Sequence, residues 1–221
     1  MTSDPAASPP ARALAELTLD ELLERLSSSA PIPGGGSAAA IAGAMAASLV
    51  AMVAALTVGR AEYAEAEPMA RELGAAAASV RDELIELAQR DSEAYEAVVH
   101  ARRLPRDSDE HRAARAASLA DAVRLAAEVP LRTARVAVRA VELAAGIAPI
   151  GNRNAASDAG VAAQLASAAV RGAILNVRIN LPYLPADAPF RLETPAELAR
   201  LEATATDREA AALADVAARL G

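Results

Sequence analysis

The sequence predicts an all-α protein, a multi-helix bundle arranged around a buried Ala/Gly-rich helix. The first observation is composition: 53% of the 221 residues are hydrophobic, many of them alanine, and only 2% are aromatic. Alanine is the best helix former and adds little to the face of a strand. The second observation is periodicity, because apolar side chains recur at helical spacing with no strand-like alternation and no internal repeat.

Composition also excludes several functional classes. The chain has no cysteine, which excludes disulfides, thiol catalysis and cysteine-bound metals. All 22 basic residues are arginine, so lysine Schiff bases are excluded as well. With only two histidines, a histidine-rich metal site is not expected, and we predict no metal and no cofactor. The net charge of −7 and the lack of a basic run argue against nucleic acid as a partner.

Residues 1–12 are rich in proline, alanine and serine and predict a disordered N-terminal arm. The arm lacks the basic region and apolar core of a secretory signal, so the expected compartment is the cytoplasm. Residues 13–221 are predicted to form a single helical domain.

The first helix is predicted from a capping box, Thr18 with Glu21, and a stripe of four leucines between Leu19 and Leu26. The prolines and glycines of SSSAPIPGGGS then end it.

The second helix, from Ser37 to Val58, carries no charge, and ten of its 22 residues are alanine. Its length reaches the membrane-spanning range, but it is poor in leucine and lacks an aromatic belt. A helix buried on all sides in a bundle is the favoured interpretation. Gly43, Ala47 and Ala51 recur every four residues, and this small-residue face predicts close approach of another helix, such as its copy in a second subunit.

Proline and cap signals divide the rest of the chain. A third helix is predicted from Pro68 to about Leu104. A fourth, capped by Asp107 and Glu110, should run toward Gly146 and be kinked or split at Pro130. The last two helices are expected from about Asn154–Asp158 to Asn180 and from Pro195 to Leu220.

Three groups of polar residues are candidates for a site. Gly34, Gly35, Gly36 and Ser37 could present backbone N–H groups to a ligand, or simply form a tight connection. Asp91 lies on the apolar stripe of the third helix, where a carboxylate is costly unless it is paired with an arginine, hydrogen-bonded or used in chemistry.

The third group is in GNRNAASDAGVAA and the helix that follows. Capping explains one or two of Asn152, Asn154, Ser157 and Asp158. It does not explain Asn176 and Asn180, which share one helix face and could bind a flat heterocycle or satisfy a backbone break. As a group these residues favour a ligand site. Tyr63 and Tyr95 could stack on a ring, or pack in the core.

Several motifs resemble the formiminotransferase-cyclodeaminase C-terminal family, which includes free-standing methenyltetrahydrofolate cyclohydrolases. In order they are PIPGGGSAAAIAGAMAASLVAMVAALTVGRAEY, RDSEAYEAVVHARRLP, EVPL, GNRNAASDAGVAA and AAVRGAILNVRINL, spanning roughly Leu17 to Leu184. The resemblance implies an all-α fold that oligomerises by helix packing, as a homodimer or larger, and acts on one-carbon units of tetrahydrofolate.

The resemblance also implies roles for the candidate residues. Asp158 and Asp91 would be the two key carboxylates, one for acid/base chemistry and one pairing with the pterin, in an order left open. Substrate contacts would come from Gly34, Gly35, Gly36, Ser37, Tyr95, Asn154, Ser157, Asn176 and Asn180, and Arg60 and Arg153 would bind the glutamate tail.

One departure concerns a lysine that members commonly carry after the apolar helix. Here that stretch is Gly59, Arg60, Ala61, Glu62 and Tyr63. The expected activity is cyclohydrolase, with cyclodeaminase as the alternative. Because Arg60 does not readily lose a proton, a non-catalytic folate-binding oligomer is a further alternative.

Overall fold

A computed structural model describes residues 12–221, so the predicted arm lies outside the described residues except for Arg12. The described chain forms six α-helices and no strand, which confirms the all-α prediction. They are α1 (Leu19–Ser27), α2 (Gly35–Thr57), α3 (Glu67–Arg103), α4 (Asp109–Ile147), α5 (Ala156–Asn180) and α6 (Pro189–Leu220).

The Ala/Gly-rich helix α2 lies at the centre and packs mainly on α3 and α5. A Cβ atom on Gly43 would lie 3.0 Å from Leu84 Cδ1 on α3 and 3.3 Å from Ala169 Cβ on α5. The small-residue face is therefore occupied within the chain. The predicted close approach of another helix is confirmed at Gly43, but the helices are α3 and α5 of the same chain and not a copy in a second subunit, because Gly43 and Ala47 are buried.

Two segments are apolar and long enough to cross a membrane, Gly35–Thr57 and Arg153–Tyr183. About half of each, 50% and 56% of the apolar window, is buried inside the bundle. Core helices satisfy the same criterion, which explains the buried half of each segment. Helix α2 is not buried on all sides within one chain, because Met45, Met52 and Leu56 remain 39–54% exposed.

Local differences from the predicted elements have identifiable causes. The capping box of Thr18 and Glu21 is present, but no residue of α1 is buried, and Leu19 is 69% exposed. Helix α4 is capped by Ser108, whose Oγ accepts from the His111 N–H, whereas Asp107 pairs with the His111 ring at 2.6 Å. Helix α6 begins at Pro189, because Pro195 is accommodated inside it.

Helix α4 runs unbroken through Pro130. Proline has no N–H, so the carbonyl of Ala126, four residues earlier, loses its usual helical donor. Asn180 Nδ2 on α5 donates to that carbonyl at 2.9 Å. The predicted split is therefore wrong, because a side chain from the neighbouring helix replaces the missing backbone bond.

Helices α2 and α5 are antiparallel, and this sets where the candidate residues lie. Gly35 faces Asn176, whereas Gly151, just before α5, faces Val53. We call the end of the bundle at Gly34–Gly36 the first end, and the end at residues 153–158 the second end. Asp158 and Asn176 are separated by roughly 27 Å along α5, at 1.5 Å per residue.

Candidate functional site

The first end holds a cavity of about 330 Å³ between α2, α3, α4 and α5. Seven predicted site residues line it: Gly34, Gly35, Gly36, Asp91, Tyr95, Asn176 and Asn180. Ser37 joins them through its hydrogen bond to Asp91. The structure therefore brings together eight of the predicted residues, from three helices that are distant in sequence.

Gly36 allows the N-terminus of α2 to lie directly against Asp91. A Cβ atom on Gly36 would be 2.1 Å from Asp91 Oδ1 and 2.5 Å from its Cγ, well inside van der Waals contact. Gly35, one residue earlier, has only the Asn176 amide near its Cβ position, at 3.5 and 3.8 Å. Glycine at position 36 is thus required by the carboxylate, and this explains one member of the predicted glycine motif.

Asp91 is half-buried and accepts a hydrogen bond from Ser37 Oγ at 3.0 Å. The same hydroxyl lies 2.9 Å from the Ala88 carbonyl and 3.2 Å from Ser92 Oγ. Burial raises the pKa of Asp91, against the opposing effect of hydrogen bonds from Ser37. Among the described residues Asp91 has no cationic partner, so it is not held by an arginine ion pair.

The two asparagines are held by backbone carbonyls. Asn180 Nδ2 donates to the carbonyls of Ala126 and Asn176, both at 2.9 Å, which uses both of its amide hydrogens. Asn176 Nδ2 donates to the Gly172 carbonyl at 2.9 Å, leaving one hydrogen and its oxygen. Asn180 can therefore offer a ligand only an acceptor, and Asn176 a donor and an acceptor. The structure confirms the backbone-break alternative for Asn180, and both asparagines line the cavity, where binding of a heterocycle stays a prediction.

Sequence reasoning missed the residues that line the rest of the cavity: Pro31, Ile32, Val98, Arg102, Val123, Ala126, Ile179 and Tyr183. A signal was available for two of them. Asp91, Tyr95, Val98 and Arg102 follow one another at spacings of four, three and four residues, which places them on one face of α3.

Five predicted site residues lie at the second end instead: Arg60, Arg153, Asn154, Ser157 and Asp158. The Arg153 guanidinium donates to the Arg219 carbonyl at 2.9 Å, and its backbone N–H donates to Tyr63 Oη at 3.0 Å. Asp158 is half-exposed in the first turn of α5. Within one chain these residues do not reach the cavity at the first end.

Asn152 has a structural role at the second end. It is buried, accepts from the Asn154 N–H at 2.9 Å and donates through Nδ2 to the Leu56 carbonyl at 2.9 Å. Its own N–H donates to Thr57 Oγ1 at 2.8 Å. Asn152 thus ties the C-terminus of α2 to the start of α5, as the capping alternative predicted for part of this motif. In residues 12–221, no group of three or more histidines or carboxylates is placed to hold a metal.

Comparisons with known proteins found related sequences and a related structure. The family model described as formiminotransferase-cyclodeaminase matches residues 18–200. A methenyltetrahydrofolate cyclohydrolase from Methylorubrum extorquens is 44% identical over 85% of this chain and 90% of its own length. The mouse formimidoyltransferase-cyclodeaminase is 31% identical over 96% of this chain, which spans 39% of that longer protein. The crystal structure of a formiminotetrahydrofolate cyclodeaminase from Thermotoga maritima superposes with a TM-score of 0.83 at 30% identity, covering 94% of this chain and 99% of that one.

Proposed function

Because this chain belongs to the formiminotransferase-cyclodeaminase family, we propose that it is a methenyltetrahydrofolate cyclohydrolase, which opens the methenyl ring by hydrolysis to give formyltetrahydrofolate. The single observation that carries the proposal is Asp91, a carboxylate in a cavity without a cationic partner among the described residues. The relative of 44% identity bears this activity in its name, whereas the cyclodeaminase relatives are less similar, at 30–34%.

The reaction asks for the chemistry that Asp91 offers. The methenyl carbon belongs to a cationic amidine-like group, so a nearby carboxylate stabilises it electrostatically. Water forms a bond to that carbon and gives one proton to the carboxylate. As one ring C–N bond breaks, the new hydroxyl becomes the formyl carbonyl, its proton goes to the released nitrogen, and Asp91 returns its own proton to solvent. A raised pKa makes Asp91 a stronger base than an exposed aspartate. Asn176 provides an amide donor and acceptor that can orient the heterocycle, and the buried Ser37 hydroxyl holds the Asp91 carboxylate in place.

Cyclodeaminase activity is the second candidate, and the structural match to the Thermotoga maritima enzyme favours it. In that reaction N10 attacks the formimino carbon and ammonia leaves, which also requires proton transfer between neighbouring nitrogens. A folate-binding protein without activity is the third, since Arg60 stands where lysine is common. Arg60 is exposed at the second end, remote from the cavity of its own chain.

We further propose that two copies pair through α2 and α5. The outward face of α2 carries Met45, Met52 and Leu56, which are 39–54% exposed, and no charged residue. It continues onto α5 through Val161, Leu175 and Ile179. A face about 34 Å long and roughly 20 Å wide covers about 700 Å² per chain, close to the roughly 800 Å² of a standard interface. A second copy supplies an equally uncharged surface, which makes it the natural occupant.

A twofold axis near Met45, the middle of α2, would run the two α2 helices antiparallel and place the second end of one chain beside the first end of the other. Asp158, Asn154, Ser157, Arg153 and Arg60 of the partner would then face the cavity of the first chain. We propose that each site is built this way, with Asp91 and Asp158 dividing proton transfer and pterin pairing between them. This arrangement would keep both predicted carboxylates in one site although they are remote within a chain.

We propose in addition that residues 13–221 act as one domain, that the reaction needs no cofactor beyond the folate substrate, and that the enzyme works in the cytoplasm without nucleic acid or membrane partners. The lack of cysteine, the absence of a basic run and the burial of the apolar helices support these proposals.

The activity is tested by the near-ultraviolet absorbance of methenyltetrahydrofolate with purified protein. A fall faster than the uncatalysed rate supports cyclohydrolase. A rise starting from 5-formiminotetrahydrofolate supports cyclodeaminase, and no change in either overturns both.

The shared site is tested by sedimentation and by mixing variants. Met45→Glu should give monomers, whereas Met69→Glu, 53% exposed on α3, should not. Asp91→Asn and Asp158→Asn should each be inactive but regain about a quarter of wild-type activity after reassortment, because half of the dimers are mixed and each has one intact site. A monomeric wild type refutes the pairing, and a dimer without recovery on mixing refutes the shared site.

A further inference from the structure

The side chains of α3 that line the cavity at the first end change from acidic to basic along the helix. Asp91, Tyr95, Val98 and Arg102 line it from one end to the other. Asp91 and Arg102 are eleven residues apart, which corresponds to roughly 16 Å along the helix. A carboxylate and a guanidinium at that distance do not neutralise each other, so the cavity has one acidic and one basic extremity.

Arg102 is the only cation among the described residues that line the cavity. Its guanidinium forms no ion pair or hydrogen bond with a described residue. Its backbone carbonyl accepts a hydrogen bond from the Arg115 guanidinium at 3.3 Å. Other lining residues include the apolar side chains of Val98 on α3 and of Val123 and Ala126 on α4, with the Asn180 amide beside Ala126. An elongated ligand with a heterocycle at one end, an apolar middle and a carboxylate at the other matches this order.

We propose that Arg102, in place of the predicted Arg60 and Arg153, binds the glutamate carboxylate of the folate substrate and sets the enzyme's preference for glutamylated folates. The inference rests on the proposed function and names the end of the substrate that this part of the cavity recognises. In this orientation the pterin and its one-carbon unit lie at Asp91, the aminobenzoyl group lies along Tyr95 and Val98, and the glutamate reaches Arg102. Arginine suits this task because its planar guanidinium can hold a carboxylate through two parallel hydrogen bonds.

Arg102 acts far from the reacting carbon, so its contribution should appear in substrate affinity. A contact that is equally strong in the ground state and the transition state changes KM and leaves kcat unaltered. Loss of a hydrogen-bonded charge pair corresponds to a rise in KM of about 10- to 100-fold.

The test compares Arg102→Gln with Arg103→Gln. Arg103 is the next residue on α3, is also exposed, and does not line the cavity. Each variant is assayed with methenyltetrahydrofolate and with the methenyltetrahydropteroate analogue, which lacks glutamate. We expect Arg102→Gln to raise KM about 10- to 100-fold for the first substrate with kcat within twofold, to leave KM for the second unchanged, and Arg103→Gln to resemble wild type.

Equal KM values in Arg102→Gln and Arg103→Gln would overturn the role of Arg102. So would an equal rise in KM for both substrates in Arg102→Gln. Neither result would contradict the proposed activity. If wild type shows no turnover, equilibrium dialysis with folic acid and pteroic acid tests the same contact without catalysis. Preference for folic acid that is lost in Arg102→Gln and kept in Arg103→Gln supports the inference, and equal binding of the two compounds by wild type refutes it.

Discussion

Gly36→Ala is the substitution for which the structure makes the sharpest prediction. The added Cβ would lie 2.1 Å from Asp91 Oδ1, whereas unstrained carbon and oxygen atoms stay more than about 3 Å apart. Either the carboxylate or the N-terminus of α2 must move by about 1 Å. Asp91 would then lose its hydrogen bond from Ser37 Oγ, now 3.0 Å long.

The displacement should affect stability and activity together. Overpacking of this kind costs about 1–3 kcal/mol, which for a chain of this size lowers Tm by about 2–4 °C per kcal/mol. A shift of about 1 Å at a group that acts on substrate typically lowers turnover about 100-fold. Thermal unfolding and the absorbance assay on the same preparation measure both effects.

Gly35→Ala is the matched control, because its Cβ would meet only the Asn176 amide at 3.5 Å or more. It should keep wild-type Tm to within about 2 °C, given the good helix propensity of alanine. Removing the carboxylate with Asp91→Ala should abolish the stability penalty of Gly36→Ala in the double variant. The explanation is refuted if Gly35→Ala and Gly36→Ala change Tm and turnover equally, or if Gly36→Ala still lowers Tm when Asp91 is alanine. Gly36 would then not be required for the close approach of α2 to Asp91.

Three further predictions follow from single contacts. Asp91→Asn should lower turnover about 100- to 10,000-fold. Burial raises the pKa of Asp91 above 3.8, so the wild-type fold loses stability as pH rises from 3.8 to the raised pKa. Asp91→Asn does not undergo this loss, and its Tm should exceed that of wild type at pH 7. In thermal melts over a pH series, the difference in Tm should vanish near pH 3. Asn180→Ala should lower the free energy of unfolding by about 1–3 kcal/mol, because the Ala126 carbonyl is left without a donor. Adding Pro130→Ala should restore part of that free energy, since alanine supplies the missing N–H, and urea unfolding measures both variants. Gly43→Ala, with a Cβ 3.0 Å from Leu84, should lower Tm while the folded protein keeps its KM, because Gly43 does not line the cavity.

Local signals were sufficient to predict most of the fold. The capping box at Thr18, the uncharged run from Ser37 to Val58 and Pro68 at the start of α3 each act within a few residues, and the structure has helices at all three. Pro130 could not be judged in this way. Whether a proline splits a helix depends on what replaces its hydrogen bond, and here the donor is Asn180, 50 residues further along the chain.

The candidate site was predictable only where a residue carries a local signal. An aspartate on the apolar stripe of α3 signals a special environment, and the structure places Asp91 in the cavity beside Gly36. The residue type of Arg102 carried no such signal, because an arginine near the end of a helix is ordinary on a protein surface and complements the helix dipole; only its spacing from Asp91, Tyr95 and Val98 pointed to the same face of α3. The packing of α3 against α2 and α4, with α5 on the far side of the cavity, shows that Arg102 shares a cavity with Asp91.

The separation of Asp91 and Asp158 limits how one site could contain both carboxylates. One chain cannot bring both carboxylates together, since Asp158 lies roughly 27 Å along α5 from Asn176, which lines the same cavity as Asp91. The antiparallel dimer proposed above would bring them together, because the symmetry that buries the uncharged face would also place opposite ends of the two chains side by side. The absence of charge from Ser37 to Val58 would then serve the site as well as the core. A substitution at Met45 that breaks the dimer should therefore reduce kcat at saturating folate, and the surviving monomer should still bind the glutamate end of folate through Arg102.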